Sequence, residues 1–161
     1  MAEIDTEFLF ELRIPQSQDA LVDMGQTPTS RLMYAVADSG SFHGPKLKGD
    51  IIPMSGGDWS RVRADMSIAI DVRLCLKTHD GANIYLTYQG ILAADSMENF
   101  QYMIDFSKKD DPDAAARRYY YRTTVQFETG DERYAWLNRT VAIGSGRSGD
   151  NCAIYEIFAV K

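Results

Sequence analysis

Residues 67–77 alternate more regularly than any other part of the chain. Ile68, Ile70, Val72, Leu74 and Leu76 fall on one face of an extended segment, and Ser67, Ala69, Asp71, Arg73, Cys75 and Lys77 on the other. A period of two is the signature of a strand with one buried face. Thr78-His79-Asp80-Gly81 then supplies a hairpin turn centred on Asp-Gly, and residues 83–91 return. Residues 6–14 alternate in the same way, with Phe8, Phe10, Leu12 and Ile14 opposite Glu7, Leu9, Glu11 and Arg13, until Pro15 ends the run. Further strands are predicted at 31–36, 47–53, 119–129, 139–144 and 152–160. Between them, Asp38-Ser39-Gly40 turns into Ser41–Pro45, and Ser55-Gly56-Gly57 opens a loop that presents Asp58 and Trp59 before a turn at Asp65-Met66. The run 144–149, rich in glycine, reads as a hairpin connection because no Gly-Lys-Ser/Thr follows that would make it a phosphate loop.

Helical spacing is confined to 95–106, where Met97, Phe100 and Ile104 recur, to a turn at 110–118 after Pro112, and to a short turn or helix at 132–137. The segment 95–118 is therefore either a cap over the open end of a barrel or a loosely packed surface insertion. A chain with about eight to ten strands joined by hairpins closes on itself more readily than it stays flat. The fold class expected is all-β: one closed antiparallel barrel with one short helical insertion, occupying residues 1–161 as a single domain. A barrel of this size is either filled by side chains or holds one small ligand.

Charge narrows the partners. The formal net charge of −6 opposes nucleic acid and anionic membranes, both of which demand a basic footprint. The acidic start, Met1-Ala2-Glu3-Ile4-Asp5, carries no basic and apolar leader, and no apolar run approaches the length of a membrane span. A cytoplasmic protein is expected. Cys75 and Cys152, the only two cysteines, lie inside strands and read as buried reduced thiols. With two histidines and no Cys-x-x-Cys or His-Glu-x-x-His spacing, neither a metal site nor a cofactor is implied.

Candidate chemistry centres on the orientation of 67–77. If the aliphatic face is the core, Asp71 and Arg73 are solvated; if it packs beneath a helix or a partner, they point into a polar lumen and can polarise a bound carbonyl or carboxylate. Trp59, Tyr85, Tyr88, Tyr119, Tyr120, Tyr121, Tyr134 and Trp136 put large faces with polar tips on several strands, which suits either a pocket for a planar molecule or plain packing. His43 and His79 lie in turns, and His43, beside Gly44-Pro45, overhangs a barrel mouth.

Ser55-Gly56-Gly57-Asp58-Trp59 and the run 71–85 resemble the domain of unknown function 3237 family, also called uncharacterised protein family 0311. Similar stretches follow the family's order at 40–49, Tyr121-Arg122-Thr123, Phe127-Glu128-Thr129-Gly130 and Tyr134-Ala135-Trp136-Leu137-Asn138-Arg139. The resemblance implies a compact β-barrel of the kind found in bacterial and fungal proteins, mostly without established activity. Two features depart from it: Met66 stands where the family has Gly after the aspartate, and 95–118 falls where the family varies most.

Acid/base chemistry needs only a carboxylate or phenol of tuned pKa and a donor for developing negative charge. The function expected is a cofactor-independent lyase or isomerase acting by proton transfer on a small aromatic or carbonyl-bearing metabolite inside the barrel. Asp58 or Asp71 is the candidate base, Arg73, Arg122 and Asn138 the donors, and Tyr85 the acid. His43, Trp59, Tyr121, Tyr134 and Trp136 are the candidate ligand-binding residues. Two alternatives stand beside it: a non-catalytic barrel that binds a small hydrophobic ligand, and a filled barrel serving assembly, with the aliphatic face of 67–77 as a homo-oligomer interface.

Overall fold

The computed structural model describes residues 3–161, apart from the Gln18 side chain; Met1 and Ala2 of the acidic N-terminal run lie outside the described residues. Eleven strands make one antiparallel sheet: β1 (Thr6–Pro15), β2 (Leu21–Gln26), β3 (Arg31–Val36), β4 (Ser41–His43), β5 (Lys48–Ile51), β6 (Gly57–Val62), β7 (Ile68–Thr78), β8 (Asn83–Ala94), β9 (Tyr119–Glu128), β10 (Ala142–Gly149) and β11 (Cys152–Val160). Eight of them close a barrel in the order β7-β5-β4-β1-β11-β10-β9-β8, with β8 returning to β7. The other three form a wing. β6 pairs with the first half of β7, β5 with the last three residues, and β3 and β2 extend outward from β6.

The long strand β7 decides what the barrel holds. Ile68, Ile70, Val72, Leu74 and Leu76 are buried in one core with Leu86 of β8 and Ile157 of β11, so the aliphatic face looks inward. Asp71 and Arg73 stand on the outer face, with side chains 38% and 55% exposed. This corrects both readings that needed the opposite orientation: Asp71 and Arg73 do not enter a lumen, and the aliphatic face is not a free interface. Burying these five side chains contributes on the order of 1.5–3 kcal/mol each, which no surface packing of that face would match.

Further elements differ from expectation: β2 and β4 are strands not foreseen in the sequence. The segment at Asp58 and Trp59 is strand β6, with Tyr34 opposite Trp59 and Val72 opposite Asp58. Residues 144–149 belong to β10, and the hairpin turn falls at Asp150-Asn151, both at positive φ as a two-residue primed turn requires. The glycines of β10 clear space for large neighbours: a Cβ on Gly146 would sit 2.6 Å from the Tyr121 ring. In β1 a bulge between Phe8 and Phe10 buries both Leu9 and Phe10 and turns Phe8 out against Phe158, their rings 5.6 Å apart. Cys75 and Cys152 are unpaired and half-buried rather than fully buried.

The insertion is packed onto the barrel. Helix α1 (Met97–Ile104) starts at Ser96, whose hydroxyl accepts from the Asn99 amide, and α2 (Pro112–Arg118) starts at Asp111, which accepts from the Ala114 amide. Met103 and Ala115 join the core, with Phe100, Tyr102 and Phe106 against it. Ser148 Oγ donates to the Met103 carbonyl at 2.6 Å, and the Ser148 amide donates to the Tyr119 hydroxyl. Below it, Arg147 donates to Asp110 at 2.7 and 3.1 Å and to Glu11 at 2.9 Å while only 6% exposed. Among the described residues no helix is long and apolar enough to cross a membrane.

Candidate active site

The inward face of β6 carries Asp58. Its row across the sheet runs Ala35, Asp58, Val72, Tyr88 and Val125, so Asp58 and Tyr88 share the barrel-facing side two strand spacings apart, about 10 Å between backbones. Tyr88 packs on Tyr155 with ring centroids 4.9 Å apart, and Tyr155 meets Tyr121 edge-on at 5.4 Å. The Tyr121 and Tyr155 hydroxyls lie 2.5 Å apart and share a hydrogen bond. All three phenols are buried, and the Tyr88 hydroxyl has no hydrogen-bond partner; the Thr123 hydroxyl, one residue pair further along β9, is also unpartnered. A buried hydroxyl without a partner forfeits about 1–3 kcal/mol.

Electrostatics separates the roles. Burial pushes the Asp58 carboxyl up to about 7, and the negative charge of Asp71 adds to the rise, while the hydrogen bond from the Asp71 amide at 3.0 Å works in the other direction. Burial likewise drives Tyr88, Tyr121 and Tyr155 well above the ordinary phenol value, and the charge of Asp58 reinforces the rise in each. At neutral pH the three phenols are therefore neutral donors, next to a carboxyl that gains and loses its proton in the same range. Asp58 is half-buried, so solvent reaches the carboxyl while the phenols stay dry.

Of the residues singled out from the sequence, Tyr88 and Tyr121 lie in the phenol cluster and Asp58 acts on it through its charge; the others are dispersed. Trp59, Asp71 and Arg122 line a trough of about 700 Å³ on the outer face of β6 to β10. His43 and Tyr134 border a smaller groove of about 270 Å³ with His79 and Asp80. There the buried Tyr134 hydroxyl donates to the Asp80 carboxylate at 2.9 Å, which occupies it structurally. Asn138 is exposed, and its side-chain amide bonds the Thr129 backbone in both directions, at 2.8 and 2.9 Å, tying the turn rather than facing a cavity. Trp136 packs against the core beneath the Lys46 ammonium, and Tyr85 is 39% exposed on the outer wall. Arg73 pairs with Asp71 at 3.6 Å in solvent. Tyr155 was absent from the sequence-derived site, although it is the only aromatic among Ala153, Ile157 and Ala159 on the buried face of β11. A lone phenol in an otherwise aliphatic inward row is the signal that could have found it. Among the described residues no three His, Cys, Asp or Glu side chains converge as a metal site would need.

A closed antiparallel barrel of eight strands with a lateral wing places the chain among small β-barrel proteins. Within that class the chain belongs to the family described as protein of unknown function (DUF3237), which residues 4–160 match. A UPF0311 protein of Bradyrhizobium diazoefficiens is 30% identical over 114 residues, covering 71% of this chain and 70% of that protein. A solved β-barrel-like protein from Acinetobacter baumannii is 31% identical with a TM-score of 0.80, over 100% of this chain and 98% of that one. A structure from Penicillium herquei described as an enzyme shares the fold at a TM-score of 0.69 and 22% identity, over 100% and 97% of the two chains.

Proposed function

We propose that this protein is a cofactor-independent lyase or isomerase that moves a proton on a small aromatic or carbonyl-bearing substrate. The observation that carries the reading is Asp58, a carboxyl lifted to about 7 by burial within the field of three neutral phenols. A base poised near neutrality is most effective when its protonated and ionised forms are both accessible. As carboxylate, Asp58 takes a proton from carbon next to the substrate carbonyl, and the bond electrons move onto the carbonyl oxygen. The Tyr88 hydroxyl, which makes no hydrogen bond of good geometry although the Tyr155 hydroxyl is within its reach, donates to that oxygen as its charge grows. In an isomerisation the same proton returns from Asp58 to another carbon; in an elimination the electron pair expels the leaving group, which departs with the proton. A carrier of apolar ligands needs neither an ionisable group nor an unsatisfied hydroxyl in the wall, so this cluster favours catalysis over storage. A solved structure from Penicillium herquei that shares the fold is described as an enzyme, without a stated reaction, which agrees with an enzymatic reading.

The test is exchange in deuterated water. The wild-type chain is incubated with a panel of aryl ketones and β-substituted carbonyl compounds, and carbon-bound deuterium is read by mass spectrometry. Incorporation that depends on Asp58 and falls about 100-fold or more in Asp58→Asn is expected, with a smaller loss in Tyr88→Phe. Exchange as fast in Asp58→Asn as in wild type removes Asp58 from the chemistry.

A further inference from the structure

The outer face of the same strands carries a second feature that this proton chemistry does not use. Barrel exteriors are convex, yet where the wing leaves β7 the sheet is dished into the trough of about 700 Å³, a volume typical of small-molecule sites. Its register is simple. Arg61, Ala69, Ile91 and Arg122 form one cross-strand row, so two guanidinium-bearing side chains face each other over a small apolar floor, about 14 Å apart at the backbone. Arg63 borders the same space.

Charge there runs against the rest of the molecule. The chain has a net charge of −6, but among the described residues Arg61, Arg63 and Arg122 make no ion pair. The only carboxylate on the trough wall, Asp71, is paired at 3.6 Å with Arg73, which lies outside it. Asp65 lies within the field of Arg63, whereas Arg61 and Arg122 have no carboxylate paired with them among the described residues. Two of the walls are held rigid: Trp59 packs on Tyr34 with ring centroids 4.5 Å apart, and the Arg122 guanidinium lies 5.5 Å over the Tyr120 ring while donating to the Tyr121 carbonyl at 2.9 Å.

We propose that this trough is a binding site for a small aromatic carboxylate, its ring against Trp59 and the Ala69–Ile91 floor and its carboxylate between Arg61 and Arg122. A planar fork of N–H donors suits a carboxylate, and an indole face suits a flat ring. A simple inorganic anion would leave the aromatic and aliphatic walls unused, and an uncharged aromatic would leave the guanidiniums unused, so the pair of features specifies both halves of the ligand. The site stands independently of Asp58, which faces the other side of the sheet.

The probe is 2-naphthoate, titrated into the full chain by calorimetry with the tryptophan indole N–H signals followed by NMR. Saturable binding is expected, with the Trp59 signal moving and the Trp136 signal still. Arg61→Gln with Arg122→Gln, both exposed side chains, should weaken binding about tenfold, while Arg139→Gln, elsewhere on the surface, leaves it unchanged. Equal binding of 2-naphthamide or of inorganic phosphate overturns the proposal. So does unchanged affinity in the double variant, movement of Trp136 instead of Trp59, or binding of a polyglutamate peptide where naphthoate fails. Because the readout is binding alone, its outcome is separable from that of the deuterium experiment.

Discussion

Asp58→Asn should make the protein more stable and inactive at once, with a pH dependence that identifies the cause. In the unfolded chain the carboxyl titrates at 3.8, and in the folded chain at about 7. Below about pH 4 both states hold the proton and the group contributes no difference. As pH rises from about 4 to 7 the unfolded state ionises while the folded state does not, so stability falls; above about pH 7 the loss is complete. Moving a carboxyl that far costs at most about 4 kcal/mol, at about 1.4 kcal/mol per pH unit. Solvent reaches Asp58, and screening brings the expected size nearer 2 kcal/mol. Asparagine keeps an oxygen for the Asp71 amide but has no charge to desolvate. Wild type and variant should therefore unfold alike in urea near pH 4 and diverge by about 2 kcal/mol near pH 8, or roughly 4–8 °C in Tm. Parallel stability curves across that range would refute the argument, because the carboxyl would then carry no penalty and no tuned proton.

Arg147→Met should destabilise the fold by up to about 3 kcal/mol, since Asp110 and Glu11 lose their buried partner and keep only the more exposed Arg13, at 3.3 and 2.6 Å. Burial works against ionisation of Asp110, yet Arg147 holds its carboxyl below the ordinary value, so the loss should shrink in acid as Asp110 takes a proton; an equal loss at pH 3 and pH 7 would contradict this. Gly146→Ala puts a methyl 2.6 Å from the Tyr121 ring, and a loss of about 1–3 kcal/mol with altered near-ultraviolet circular dichroism is expected. Met66 sits at φ +66°, the left-handed region that costs a side chain about 1–2 kcal/mol; Met66→Gly should raise stability in urea by about 0.5–1 kcal/mol after the added freedom of the unfolded chain.

The architecture was readable because closure follows from strand number and alternation, and both are written in residue types. The family resemblance led to the same barrel, and the departure noted at Met66 falls at a left-handed position where glycine is favoured. Faces were readable as well: the alternation of 67–77 separates the two sides of β7 correctly. Which side looks inward was not, because alternation is symmetric and Asp71 and Arg73 carry the same polarity whether wet or enclosed. β6 read as a loop since Ser-Gly-Gly-Asp is turn chemistry when seen alone, and its pairing with β3 and β7 is long-range. The glycines of β10 misled for a related reason: in a barrel they yield volume to the Tyr121 ring and Thr123 rather than bend the chain. The site was half-legible. Asp58 and Tyr121 were named as site residues and Tyr88 among the aromatics, but Tyr155 was missed, and the phenols gain their meaning from neighbours that only closure supplies.

Besides the side chains that pack it, main-chain hydrogen bonds fasten the 95–118 insertion to the β10–β11 turn. The Asp150 amide donates to the Lys108 carbonyl and the Asn151 amide to the Phe106 carbonyl, each at 2.7 Å, and the Asn151 carbonyl accepts from the Gln16 amide at 2.8 Å. These latches join main chain to main chain, so they survive almost any substitution on the inserted side. What they demand lies in the host: Gly149, where even a methyl would collide with Asp110 at 2.7 Å. The anchor for the insertion is thus set by the backbone of the β10–β11 turn, not by the identity of the residues it holds there.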